Sequence, residues 1–275
     1  MNLDEANDEG IRRLVKIGSE MTGEASATAI GFLLAGPEGG VLGAAAAPLL
    51  IRVIKKIGND IAGRFLSERE QIRIGGVIIY ATIKLAENFA AGKMPRNDGF
   101  FEKPSEGHVA CIEIPLVERP VAEEILEGVL LAAQREHEEK KIPFLGNLLA
   151  NIAFNKDVDK EQAYLLIKLC NDISFRQICL LALFADPSKY ELRDESYRED
   201  DQHKITVGVQ RAALLQEIQD LDSRGLLGSE TALLCMVDIN PKKMELDALG
   251  IVLYHLMELG EIDSVYLDHI ASLLQ

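Results

Sequence analysis

Apolar residues recur along most of this chain at steps of three and four, the pattern of helices that bury one face. Glu9–Gly23 sets Ile11, Leu14, Val15 and Ile17 on one side. Ile61–Ala91 does the same with Phe65, Ile72, Val77, Ile78, Ala81, Leu85 and Phe89, and Gly75-Gly76 predicts a bend within it. Pro120 suits the first residue of a helix running to Lys141, with Ile125, Leu126, Val129, Leu130 and Ala133 inside. Pro143–Phe154 is almost wholly apolar and is expected at the centre of a core. Lys160–Asp172 follows a cap at Asp159, and Phe175–Ala185 follows one at Ser174. Thr206–Arg224, Leu249–Leu259 and Asp263–Leu274 complete the helices. Only two places suggest strands. His108–Ile114 alternates briefly, and Thr231–Asp238 with Lys243–Leu246 flank a turn at Ile239–Lys242, which predicts a small β-hairpin. The fold class is therefore mainly α.

One stretch departs from this grammar. Ala27–Ile54 reads as 28 residues with two formal charges, Glu38 and Arg52. Small residues stand at every fourth position, namely Ala27, Gly31, Ala35, Gly39, Gly43 and Ala47, and on a helix they would form a smooth stripe. Such small-xxx-small stripes let helix backbones approach closely and are commonest in membranes. GPEGG at Gly36–Gly40 breaks the stretch into two arms, about Ala25–Ala35 and Val41–Lys56, so a glycine/alanine-rich helical hairpin is expected. Neither arm reaches the roughly 20 apolar residues of a spanning helix. Arg52, Lys55, Lys56 and Arg64 follow the apolar run, as cationic groups that hold an anionic lipid surface would. A buried soluble hairpin beside an ordinary solvated helix face reads the same residues equally well.

The chain carries a net charge of −15, unevenly distributed. Residues 1–93 hold 11 basic and 11 acidic groups, whereas 94–275 hold 18 and 33. An acidic two-thirds repels phosphate backbones, so no nucleic-acid partner is expected. The charge balance changes within the Pro- and Gly-rich stretch 94–119, which suggests a linker there. On this reading 1–93 is a helical module with the apolar hairpin and 120–275 an acidic helical domain. A helix, the run RGLL, a hairpin and a helix containing LGIVLYHLM give residues 205–262 the order of a winged-helix-like unit. Its candidate recognition helices are acidic or apolar, which suits protein contact or dimerisation better than base readout.

Chemistry is sparse. Cys170, Cys179 and Cys235 lie in apolar runs and read as reduced, buried side chains; with Cys111 they form no CxxC pair. The five histidines show no HExxH spacing, and no GxSxG, phosphate loop or GxGxxG occurs. No catalytic, cofactor-binding or metal-ligating residue is therefore nominated and no cofactor is expected. The acidic N-terminus lacks a secretory pattern, and a cytoplasmic location follows, with peripheral or conditional insertion at an inner membrane as the variant.

Ile142–Phe184, IPFLGNLLANIAFNKDVDKEQAYLLIKLCNDISFRQICLLALF, followed by the helix–RGLL–hairpin order, resembles a group of uncharacterised helical bacterial proteins with a winged-helix-like end. The resemblance spans about residues 120–260, carries no site residue, and implies a bacterial protein in the company of defence or toxin systems. The leading expectation is a non-enzymatic, membrane-active effector whose hairpin inserts or oligomerises when triggered. A soluble helical adaptor or oligomerisation protein is the alternative, and a winged-helix transcription regulator the third reading. A membrane surface and a protein partner or second copy are the partners these readings imply.

Overall fold

The computed structural model describes residues 9–22, 31, 33, 47–103, 119–197, 208–229 and 235–275. Among them are ten α-helices and a single two-stranded sheet, so the protein is mainly helical. The chain forms two compact units, one reaching to Asn171 and one from Asp172 to Gln275.

In the first unit α1 (Glu9–Thr22), α2 (Ala47–Ala62), α3 (Glu68–Ala90), α4 (Val121–Arg135), α5 (Ile142–Ile152) and α6 (Lys160–Asp172) follow one another. α3 is the central helix: Ile74 through Ile79 are all buried, so it is covered on every side there. α1, α5 and α4 pack on it, and α2 packs on α1 and α4. α3 starts at Ser67 because a capping box closes there: Ser67 Oγ accepts from the Glu70 amide while the Glu70 carboxylate accepts from Ser67 N–H at 2.7 Å. Those bonds, with one from Gln134, hold the Glu70 carboxyl down at about 2. The helix expected from Ile61 therefore begins seven residues later, and Phe65, expected on a buried face, is fully exposed in the connection at Gly63–Ser67.

The stretch 94–119 does not separate domains in the way composition suggested. Arg96 is buried and its backbone N–H donates to the carbonyl of Ala153 at 3.0 Å. Its guanidinium donates to the carbonyls of Asn155 at 3.0 Å and Val158 at 2.7 Å, pairs with Asp98 and lies 4.4 Å over the Phe100 ring. Helices on both sides of this stretch share one core, and the division by packing falls between Asn171 and Asp172. Proline and glycine mark where regular structure stops, not where cores divide. Residues 104–118, with Cys111 and the expected strand, lie outside the described residues.

The second unit contains α7 (Phe175–Phe184), α8 (Val209–Ser223), β1 (Leu227–Gly228), β2 (Glu245–Leu246), α9 (Ala248–Met257) and α10 (Ser264–Leu273). Ser174 and Gln177 close a second capping box on α7. β1 and β2 pair antiparallel, Leu227 opposite Leu246 and Gly228 opposite Glu245. The expected hairpin is corrected in detail. Its first strand is at Leu227–Gly228, and Met236–Asp238, expected within a strand, is a 3-10 turn. α9 comes close enough to the sheet that a Cβ on Gly250 would lie 2.0 Å from the carbonyl oxygen of Leu226. Cys170 and Cys179 are buried as expected, but Cys235 is exposed beside the 3-10 turn.

Candidate functional site

Of the residues singled out by the sequence, Ala47, Arg52, Lys55 and Lys56 lie on α2 and Arg64 just past its end. This helix buries Leu50, Ile51, Val53, Ile54, Ile57 and Ile61, at the i, i+3, i+4 spacing of one face, and turns Arg52 and Lys56 outward. The C-terminal part of the apolar stretch is thus core, starting at a helix whose first turn contains Pro48. Lys56 Nζ donates to both carboxylate oxygens of Glu123 at 2.7 Å. Arg64 pairs with Glu127, which also takes Arg119 at 2.7 Å. Arg119 first and Arg64 second hold the Glu127 carboxyl below its ordinary range. Lys55 is half-buried, and Arg52 is exposed. Arg52, Lys55 and Lys56 lie on α2, whereas Arg64 follows it in the connection to α3. The four cations are therefore spread over α2 and the start of the following connection, and two of them are matched by carboxylates of α4. Glu123 and Glu127 stand four residues apart on one face of α4; Glu123 reads from the sequence as part of a solvated helix face but is buried against Lys56, and Glu127 was not singled out. Their helical spacing was visible, but not that they would face α2.

Of the small-residue stripe, Ala27, Ala35, Gly39 and Gly43 lie outside the described residues. Gly31 is helical and exposed, and a Cβ there meets nothing within 4 Å. Ala47 is the first residue of α2. Close backbone approach does occur in this protein, but at other glycines. A Cβ on Gly18 of α1 would lie 2.3 Å from the carbonyl carbon of Gly75, and one on Gly75 would lie 2.0 Å from the oxygen of Leu14. Gly146 brings α5 onto α3 in the same way, 2.6 Å from Tyr80 Cβ. The glycine pair in α3 sits in an unbroken helix and makes room for α1. A mid-helix glycine costs about 1 kcal/mol against alanine, so its presence signalled a contact to be accommodated.

The remaining polar clusters are structural in their geometry. Asn88 and Asn151 share a buried amide hydrogen bond at 2.9 Å, and Lys93 Nζ donates to Asn88 Oδ1. Between α4 and α5, Lys141 and Glu136 form an ion pair at 2.5 Å with side chains only 2% and 3% exposed. Glu136 also accepts the Glu138 N–H, and Lys141 donates to the Asn171 carbonyl. Glu136, His137 and Glu138 approach one another closely enough to hold a metal ion, but the Glu136 carboxylate is already bound by Lys141. Cys170 beside them is pushed up to about 12 by burial, which keeps it a thiol and a poor nucleophile. An apolar cavity lined by Leu50, Ile54, Leu85, Phe100 and Leu126 measures about 30 Å³, far below the ~300 Å³ at which ligand pockets begin.

Comparison with protein-family models, curated proteins and solved structures gives no match for this chain. No described helix is long and apolar enough to cross a membrane. The functional reading therefore rests on the residues themselves.

Proposed function

We propose that the chain is a non-enzymatic, membrane-active effector held in a folded resting state, with the segment between α1 and α2 as its acting part. One observation carries this reading. Both flanking helices are tightly anchored, α1 through the Gly18–Gly75 contact and α2 through six buried side chains. Yet the 24 residues 23–46 joining them hold only two charges, Glu24 and Glu38. Connections between packed elements are ordinarily polar, because water is their partner. A charge-poor composition is what a segment meant for lipid, or for another copy of itself, would have without any catalytic group.

α2 is not part of that acting segment. Freeing it would expose six apolar side chains at about 1.5–3 kcal/mol each, or roughly 9–18 kcal/mol. That equals the whole stability of an ordinary domain, about 5–15 kcal/mol. Insertion is then limited to residues before Ala47, too short for a spanning hairpin, so engagement is shallow or through self-association. The second reading, a soluble adaptor or oligomerisation protein, is favoured by the Lys56–Glu123 and Arg64–Glu127 pairs, which satisfy cations that a lipid surface would otherwise hold. The acidic second unit, with its winged-helix-like order, is proposed as a partner or dimerisation surface. Glu217, Asp220 and Asp222 on α8 argue against a regulator that reads DNA. A bacterial cytoplasmic setting and a role in defence or toxicity extend from the resemblance of residues 142–184.

Vesicle flotation together with light scattering tests the reading on the full chain and on Gly39→Leu/Gly43→Leu. Added leucine strengthens partitioning into lipid but closes a helix–helix groove. Vesicle binding that the variant keeps or strengthens supports the effector. No vesicle binding by either protein, with an oligomer that the variant loses, establishes the adaptor instead.

A further inference from the structure

The second unit contains an open groove of about 540 Å³, within the size range of peptide and small-ligand sites. Its floor is apolar: Phe184 and Met244 are buried beneath it, and Pro187, Leu246 and the partly exposed Ile251 line it. Lys242, Lys243 and His255 stand in its lining against one carboxylate, Glu245. The contrast with the rest of the unit is large, since residues 172–275 hold 19 acidic and 9 basic groups. Asp194 stands beside both lysines and meets Lys242 at 3.0 Å, but the Lys242 and Asp194 side chains are more than half exposed, so an incoming carboxylate can compete for these contacts.

Backbone geometry adds a second element. Met244 to Leu246 is extended and lines the groove, and β2 is paired on one edge only, by β1. Its other edge carries no strand among the described residues. An edge beside an apolar groove is the arrangement used when an extended peptide adds to a sheet: main-chain hydrogen bonds bind it and alternate side chains enter the groove.

We infer that this groove binds an extended acidic peptide segment of a partner protein, with an apolar side chain against Ile251 and Leu246 and flanking carboxylates at Lys242 and Lys243. The inference does not depend on how residues 23–46 act. It extends the proposed partner surface to one site and one ligand chemistry.

Random nonapeptides displayed on phage, selected against the full chain, provide the probe, and the enriched sequences are then made as fluorescein-labelled peptides. The expected peptides pair an apolar residue with neighbouring Asp or Glu. K242E/K243E should weaken their binding at least tenfold, as should Ile251→Asp, and added salt should weaken it further. Hydrogen exchange of the unaltered protein should slow at residues 242–246 and in α9 when peptide is added, a readout that holds even if a variant folds poorly. Selection that enriches nothing, enrichment of Lys and Arg, binding by the variants equal to that of the unaltered protein, or protection elsewhere would each overturn the inference.

Discussion

Replacing Lys141 with Met removes the cation from the most deeply buried charge pair among the described residues of the first unit. The two side chains are 2% and 3% exposed and 2.5 Å apart, so water cannot take the place of the lost partner. Glu136 would keep one hydrogen bond, from the Glu138 amide, and the Asn171 carbonyl would lose its donor. Breaking one side of such a pair typically costs about 3–5 kcal/mol, because a charge is left buried without compensation. For a unit of this size that corresponds to a fall in melting temperature of roughly 6–20 °C, at about 2–4 °C per kcal/mol. Glu136→Gln should cost a similar amount by stranding the ammonium. The double variant should be far milder, within about 1–2 kcal/mol of the unaltered protein, because it removes both desolvated charges together. Thermal unfolding with hydrogen exchange in α4 to α6 reads the effect in the first unit separately from the second. Additive losses in the double variant, or single-variant losses below about 1 kcal/mol, would refute the claim that burial makes the two charges interdependent.

Other perturbations test the packing. Gly75→Ala forces a methyl group into the Leu14 carbonyl, and should cost at least the upper end of the ~1–3 kcal/mol range of overpacking. Gly31→Ala, where nothing crowds the helix, should be neutral or stabilise by up to about 1 kcal/mol; urea midpoints of the two should move oppositely. Arg96→Ala removes the donor that ties 93–103 to the Asn155 and Val158 carbonyls. At about 1.5–3 kcal/mol per hydrogen bond to a charged group, it should cost on the order of 3 kcal/mol and raise exchange at residues 153–158, with Arg96→Lys rescuing little. Glu127 has its carboxyl held down by Arg119 and Arg64, so its contribution is present above its unfolded value of about 4.3 and lost as pH falls through the depressed folded value. The stability difference between the unaltered protein and Glu127→Gln should therefore be constant near neutrality and shrink below about pH 4, by urea unfolding at each pH.

Local order in this protein was legible residue by residue. Ser174 and Gln177, Asp159 and Gln162, and the period of Ile125, Leu126, Val129 and Leu130 all act within one or two turns, and their helices stand where that chemistry places them. The apolar run of α2 and the cations that follow it were equally plain. What lay across from them was not. That Lys56 meets Glu123, 67 residues on, depends on the placement of α4, which no local rule encodes. The same holds for the glycines. A four-residue stripe marks glycines that can pack closely, but Gly18 and Gly75 were paired only by the crossing of α1 over α3, where each leaves space for the other's backbone. The break at 94–119 was read from loss of periodicity, and Arg96 then anchors part of it to a turn some sixty residues away. Sequence by itself determined helix content, caps and buried faces, because these are set by neighbours along the chain. Only the tertiary structure decided which charges are neutralised, which glycines are essential and where the cores divide, because those depend on groups distant in sequence sharing the same few ångströms.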